Sequence, residues 1–222
     1  MNYITKEYFQ FFKELANNNN RDWFNTHKEH YLQVVYNPFK HLTEVVIEKM
    51  NDIDPNIQIS AKEAMFRIYR DVRFSKNKEP YKLWLGAAVS RLGRKNMQYP
   101  EIYFHFGHDE SFIATGLYHP DKETLHKIRV AIANNPDAFK KVKNSPVMHK
   151  VFPDGILGER NKRLAKELMQ VAENEPFILN KQFYTIKKFT QEEIVNQNNL
   201  PDFIVQHYLA MQDFNQYLLE IV

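Results

Sequence analysis

The chain is predicted to fold as an α+β protein, with an antiparallel β-meander of about four or five strands packed against N-terminal and C-terminal helices. Three observations predict this class. Apolar residues recur at helical spacing up to residue 53, alternate with polar residues between 64 and 117, and return to helical spacing after Pro120. With 222 residues and 43% hydrophobic content, the chain is long enough to bury a core as one domain, residues 1–222.

Three helices are predicted before the sheet. Thr5 can cap the first, which ends near Ala16 because the asparagines that follow compete for backbone hydrogen bonds. Asn37 and Pro38 are typical of a helix start, so they are predicted to begin the third, which ends before Pro55. The predicted ranges are about 6–16, 22–35 and 38–53.

The central part of the chain changes to a two-residue period, which is typical of strands. A loop over Arg70–Pro80 and turns at Gly93–Asn96 and Gly107–Glu110 separate the alternating segments. Residues 183–189 are the candidate for a fifth strand. The four strands predicted before it cover residues 64–69, 81–91, 102–106 and 111–117.

Helices return in the C-terminal half. Asp121 can cap one with Leu125, Ile128 and Ile132 on its inner face. Residues 190–193 match the sequence pattern of a capping box, with Thr190 first and Glu193 three residues later, which indicates another helix start. Further helices are predicted over residues 136–143, 160–171 and 202–219.

Composition excludes several classes of protein. The chain has no cysteine, which excludes disulfides, thiolate nucleophiles and cysteine-based metal sites and fits a reducing, cytoplasmic location. Its six glycines do not form a glycine-rich phosphate loop. The first residues do not read as a signal peptide, and no segment approaches the roughly 20 apolar residues of a membrane span. We expect neither a membrane association nor a cofactor.

Residues 66–82 form the most distinctive segment. Three arginines and three lysines alternate there with aromatic residues, and Asp71 lies among them. Residues 62–95 contain ten basic and three acidic residues, a local charge of +7, which leaves −4 for the rest of a chain whose total is +3. So dense a cluster is costly through self-repulsion unless negative groups neutralise it. It therefore indicates either an anion-binding surface or an internal network of ion pairs.

This segment also carries a resemblance to a known family. Arg67–Tyr81 resembles the signature Arg-x-x-Arg-Asp-x-Arg-Phe-Ser-Lys-[Asp/Asn]-Lys-x-Pro-Tyr of the bacterial domain of unknown function 2461 family. Phe9–Phe24, Thr115–Pro120 and Leu125–Asn135 are similar to other elements of that family. Residues 160–176 depart from its pattern, because the expected Pro-Lys-Gly and Asp-His-Pro elements are missing. The resemblance implies a fold and no particular reaction.

The leading hypothesis is a pocket for a small phosphorylated or carboxylated ligand, because arginine presents paired donors that match such oxygens. Arg67, Arg70 and Arg73 would bind the anion while Asp71 orients them. Arg21 and Trp23, at a predicted helix start, could complete the pocket, although Trp23 fits a buried core position better. The candidate site residues of the loop are Arg67, Arg70, Asp71, Arg73, Ser75, Lys76, Lys78, Tyr81 and Lys82.

Two alternatives stay open. The loop could dock nucleic acid or an acidic protein partner, although the negative charge of the remaining chain ranks nucleic acid below a small anion. It could also be a purely structural ion-pair network. The histidine pairs His27/His30 and His105/His108 lack visible further ligands, so no metal is predicted. No nucleophile motif is present, and no reaction is assigned.

Overall fold

The computed structural model of the chain describes residues 3–96 and 98–222. Four antiparallel strands form one sheet in the order β1-β2-β3-β4, flanked by helices, which confirms the predicted α+β class. The candidate fifth strand, residues 183–189, is present and lies at one edge of the sheet as β4. The strands are β1 (Trp84–Val89), β2 (Glu101–Gly107), β3 (Ser111–Leu117) and β4 (Phe183–Phe189).

From residue 3 to the start of the sheet the structure has five α-helices: α1 (Lys6–Asn17), α2 (Arg21–Thr26), α3 (Lys28–Tyr31), α4 (Asn37–Ile53) and α5 (Ala61–Ala64). Thr5 caps α1 as predicted, since its side chain accepts a hydrogen bond from the Tyr8 N–H. The third predicted helix is present as α4 and begins at Asn37, but the prediction that Asn37 caps it is wrong, because the backbone at Tyr36 before it is already helical and no side chain caps the start. Residues 32–36 form a π-helical turn that joins α3 to α4, and Asn37 N–H donates five residues back to Leu32 O. The wider turn accommodates Pro38, which has no N–H and would crowd the preceding turn of an ordinary helix.

The predicted strand over residues 64–69 is not part of the sheet. Only two isolated bridges form there, between Met65 and Ala87 and between Tyr69 and Tyr81. Met65 and Tyr69 are four positions apart, whereas their partners Ala87 and Tyr81 are six positions apart. The register of pairing therefore shifts between the two bridges. A bulge of this kind interrupts the ladder of hydrogen bonds. The second predicted strand, residues 81–91, is present only as β1 from Trp84 to Val89.

The C-terminal half contains seven helices in the part of the chain that the structure describes. Asp121 caps the first, and the capping box of Thr190 and Glu193 is present, as predicted. The predicted helix 160–171 begins only at residue 166, and the predicted final helix is divided at Met211. Residues 146–151 form a helix that was not predicted. The helices are α6 (Lys122–Asn134), α7 (Pro136–Lys143), α8 (Pro146–Val151), α9 (Lys166–Ala172), α10 (Gln191–Val195), α11 (Leu200–Ala210) and α12 (Gln212–Leu219).

The described residues form two compact units. The first comprises residues 3–94, 103–113 and 188–205, and the second residues 95–96, 98–102, 114–187 and 206–222. The interpretation of residues 1–222 as one domain stays a prediction. Large aromatic side chains fill the interior of the first unit: Tyr8, Phe11, Phe12, Phe24, Phe39, Phe104 and Phe106. A separate apolar cluster fills the second unit and includes Leu117, Ile128, Ile132, Phe139, Met148, Phe152, Phe183 and Phe214.

None of the helices among the described residues combines the length and apolar character that crossing a membrane requires.

Candidate anion-binding site

The loop that carries the basic segment is attached to the first unit at its base. Arg70 N–H donates to Pro80 O at 2.9 Å, and Lys82 N–H donates to Ile68 O at 2.7 Å. The Asn19 side chain makes two hydrogen bonds to the main chain of Tyr81, donating to O at 3.0 Å and accepting from N at 3.1 Å. These bonds fix where the loop begins and ends, although most of its side chains are exposed.

Asn19→Ala is expected to lower the free energy of unfolding by about 1–3 kcal/mol, because it removes two partly buried hydrogen bonds and leaves the Tyr81 main chain unpaired. Urea denaturation measures the loss, and hydrogen exchange at the Tyr81 amide should accelerate. Asn17→Ala is the matched control, since Asn17 makes only an exposed bond to Lys13 O. Equal stability of the two variants would contradict the anchoring role.

The tip of the loop projects Asp71 and Arg73 into solvent as a two-point ion pair. Arg73 Nε lies 3.0 Å from Asp71 Oδ1, and Nη2 lies 2.7 Å from Oδ2. These bonds lower the pKa of Asp71 to about 2, so the carboxylate stays ionised. The side chains are 76% exposed for Arg73 and 58% for Asp71. Phe74 beside them is 94% exposed, and Lys76 is exposed as well.

Lys78, Ser75 and Glu79 belong to the internal hydrogen bonding of the loop. Lys78 Nζ donates to Val72 O at 3.0 Å, and Ser75 N–H donates to the same carbonyl at 3.4 Å. Glu79 accepts hydrogen bonds from Asn77 Nδ2 at 2.8 Å and from Arg70 Nη1 at 3.4 Å. Arg70 is thus partly neutralised by the loop itself.

Arg67 faces a different place, a groove of about 350 Å³ in the first unit. We call it the cationic groove because Lys28, Lys62, Arg67 and Arg94 all line it. The Arg94 guanidinium donates a hydrogen bond to Lys62 O, which holds its position. Arg67 and Tyr69 both line this groove, together with the other residues of the segment 65–69. No carboxylate is among its described lining residues, which besides the four cations are Phe24, Tyr31, Leu32, Tyr36, Met65, Phe66, Ile68 and Tyr69.

A second cavity, of about 290 Å³, brings Arg21 next to Arg70, with Asn25, Tyr69 and Tyr81 also in its lining. Arg21 is the first residue of α2 and lines this cavity with Arg70, and its part in an anion site stays a prediction. Trp23 does not join it: its ring stacks on His27 at a centroid distance of 4.0 Å. Tyr69 lines both the second cavity and the cationic groove, so its 54% exposed side chain separates the two.

The structure does not gather the three loop arginines in one cavity. Arg67 lines the cationic groove, Arg70 lines the second cavity, and Arg73 is paired with Asp71 at the exposed tip. Lys62 and Arg94 were missed as site residues, although both lie in the segment of net charge +7. Lys28 had no signal in the sequence, because it comes from a separate helix.

Lys82 occupies a half-buried position close to aromatic rings. Its Nζ lies 4.4 Å from the centre of the Trp84 ring and 5.6 Å from that of Phe66. Burial, followed by the charges of Arg67 and Arg94, lowers the pKa of this ammonium group. Lys82 is thus electrostatically coupled to two cations of the groove.

The predicted histidine pairs do not converge. His27 Nδ1 is bonded to Trp23 O at 2.8 Å, while the His30 ring lies near Phe11. His105 is buried between the rings of Trp84 and Phe112, and this burial lowers its pKa to about 4. Within residues 3–96 and 98–222, no three His, Asp or Glu side chains are arranged to hold a metal ion.

Over residues 7–217, the chain matches the family described as Conserved hypothetical protein (DUF2461). The chain belongs to this family. A search of curated proteins found no match. In this DUF2461 protein, the stretch that resembles the family signature supplies Arg67 and Tyr69 to the cationic groove and Arg70 to the second cavity.

Proposed function

We propose that this DUF2461 protein binds a small ligand that carries a phosphate or carboxylate group and an aromatic or apolar portion, in the cationic groove. One observation carries the proposal. Four cationic side chains from separate segments line a concave surface of about 350 Å³, and no carboxylate is among the described residues that line it. This volume lies in the range of about 300–1,000 Å³ that is usual for small-molecule sites.

The physical argument is electrostatic. Like charges held in one groove repel each other, and an anion with several oxygens relieves that repulsion while accepting charge-assisted hydrogen bonds. Arginine suits the paired oxygens of phosphate and carboxylate groups, and lysine supplies a more compact charge. The rings of Tyr31, Tyr36 and Tyr69 in the same groove provide surfaces on which a planar ligand can stack.

Phenyl phosphate tests the proposal because it carries both a phosphate group and an aromatic ring. Inorganic phosphate and phenol, which each carry one of these two groups, are the comparison ligands. We expect phenyl phosphate to raise the melting temperature most, because only it uses both the cations and the rings. A ligand at about 100 times its Kd adds about 2.7 kcal/mol to the free energy of unfolding. Arg67→Met and Arg94→Met should each remove most of this stabilisation and leave the melting temperature without ligand nearly unchanged.

Arg163→Met is the matched control, since Arg163 is an exposed arginine of the second unit and does not line the groove. This variant should respond to phenyl phosphate as the wild type does. The proposal fails if phenyl phosphate causes no shift, or if all three variants respond alike.

One observation favours a second candidate, an interaction module. Phe74, with 94% of its surface exposed, stands beside Arg73 at the loop tip, a combination that suits stacking on an unpaired base or docking on an acidic partner. Phe74→Ser should then weaken binding of a single-stranded oligothymidylate by about 1–3 kcal/mol. The same variant should leave phenyl phosphate binding unchanged if the groove is the site.

A purely structural role of the loop has less support. The Asp71–Arg73 and Arg70–Glu79 pairs involve exposed or half-exposed side chains, and such pairs contribute little to stability. A cytoplasmic location stays a prediction from the sequence.

A further inference from the structure

Two lysines of the chain lie in similar aromatic surroundings, but a carboxylate is paired with only one of them. Lys143 Nζ is 4.7 Å from the ring centre of Phe177 and 5.6 Å from that of Phe139. The corresponding distances for Lys82 are 4.4 Å and 5.6 Å. Lys143 also donates to both carboxylate oxygens of Glu175, at 2.8 and 2.7 Å. The ammonium of Lys82 has neither a hydrogen bond nor an ion pair with any described residue.

The charged groups around Lys82 are cations. Arg67 and Arg94 both act on it, and both line the cationic groove. His105, the next titratable neighbour, is neutral above about pH 4, and Lys82 is among the charges that lower its pKa. Glu110 is a carboxylate that acts on His105, and it is itself paired with Lys188 at 3.0 Å. An amine that is desolvated and adjacent to cations is easier to deprotonate, and these two conditions activate nucleophilic lysines.

Phe66 is the neighbour that Lys82 shares with the groove: Lys82 is not among the lining residues, but Phe66 is, and its ring centre lies 5.6 Å from Lys82 Nζ. We propose that Lys82 is a nucleophilic amine that forms an imine with a small carbonyl compound, whose carboxylate or phosphate group is held by Arg67 and Arg94. This inference rests on the proposed function for the anionic group only. The reactivity of the amine follows from the surroundings of Lys82 itself.

The reaction is a condensation without a redox step. The unprotonated Nζ adds to the carbonyl carbon, a C–N bond forms, and the carbonyl oxygen takes up a proton to give a carbinolamine. The C–O bond then breaks and the oxygen leaves as water, so that both hydrogens of the amine end in the water. The imine is reversible and is reduced by cyanoborohydride to a stable secondary amine.

Glyoxylate and acetaldehyde are a matched pair of probes, because both are small aldehydes and only glyoxylate carries a carboxylate. The folded protein is incubated with each aldehyde and cyanoborohydride at pH 7, and the labelling rate of each lysine is measured by mass spectrometry. We expect both aldehydes to label Lys82 roughly tenfold faster than Lys143, whose Nζ is held by hydrogen bonds to both carboxylate oxygens of Glu175. The ratio of the glyoxylate labelling rate to the acetaldehyde labelling rate should be roughly tenfold higher at Lys82 than at the exposed Lys162.

Arg67→Met and Arg94→Met separate the two parts of the inference. Each should bring the ratio of glyoxylate to acetaldehyde labelling at Lys82 down to the ratio at Lys162. The ratio is the measure, because removing a cation also raises the pKa of Lys82 and slows both reactions.

Labelling of Lys82 no faster than that of Lys143 by either aldehyde overturns the inference, and phenyl phosphate binding would still support the groove. Rapid labelling of Lys82 by both aldehydes, without a preference for glyoxylate, supports the nucleophilic amine and overturns the anion held by Arg67 and Arg94. The proposed function is judged by a different measurement: it fails only if phenyl phosphate does not raise the melting temperature.

Discussion

Lys143→Met is expected to lower the free energy of unfolding by about 3–5 kcal/mol, because it leaves a buried carboxylate without its counter-ion. The Glu175 side chain is 1% exposed and that of Lys143 15%, so water cannot replace the lost ammonium. The remaining bond of Glu175, from Phe177 N–H at 3.4 Å, is too weak to compensate. Urea denaturation at pH 7 measures the effect.

The control is the double variant Lys143→Met with Glu175→Gln. Its neutral amide can still accept from Phe177 N–H, and no charge remains buried, so we expect it to recover most of the stability lost by the single variant. A single variant that loses less than about 1 kcal/mol would show that this pair behaves like an exposed one. The comparison also isolates what distinguishes Lys143 from Lys82, namely the paired carboxylate.

The helix starts that carry a side-chain cap were predicted correctly at three places, because the chemistry of a cap is local. A cap joins a side chain to an N–H group two or three residues later, so the signal lies within one turn. Thr5, Asp121 and Thr190 each cap the helix that follows them, as the sequence predicts. The strand at 183–189 could likewise be recognised from its own alternation, although its place at the edge of the sheet could not.

Backbone features that depend on register could not be predicted. Pro38 has the same preference for a first helical turn whether or not a π-helical turn precedes it, so residue type alone did not show that helical backbone already covers residues 32–36. The bulge between the bridges at Met65 and Tyr69 depends on how two segments align, and alternation within one segment contains no information about that alignment.

The candidate site itself stays a prediction. The concentration of charge in residues 62–95 lies in the part of the chain that supplies Lys62, Arg67 and Arg94 to the cationic groove. Proximity in sequence suggested that the loop arginines act together, and the structure separates them because neighbouring residues of an irregular loop point in different directions. Lys28 joins the groove from a helix more than thirty residues earlier, which only the tertiary fold specifies.

The second large effect concerns Glu101, a carboxyl group on β2 that is 4% exposed. Its Oε2 has no hydrogen-bond partner within the described part of the chain. Burial raises the pKa of this carboxyl group to about 8, from an ordinary value of 4.5. The folded protein therefore keeps a proton on Glu101 at neutral pH that the unfolded chain releases.

The sign of the pH dependence follows from linkage. Because the folded state binds more protons than the unfolded state, the contribution of Glu101 is fully present below about pH 4.5 and is lost as the pH rises to about 8. His105 acts in the opposite direction at lower pH. Burial lowers its pKa from 6.5 to about 4, so below pH 6.5 the unfolded chain binds a proton that the folded protein does not, and this destabilisation disappears as the pH rises to 6.5. The interval from pH 6.5 to 8 therefore isolates Glu101 from His105.

Glu101→Gln is expected to remove this dependence, since the amide resembles the protonated acid in size and does not ionise. At pH 8 the variant should be more stable than the wild type by several kcal/mol, on the order of 4 from the size of the pKa difference, and the advantage should become small near pH 5. Urea denaturation of both proteins at intervals from pH 5 to 8 measures it. Parallel stability profiles would mean that Glu101 is ionised in the folded protein, and that a neighbouring group or water compensates its charge.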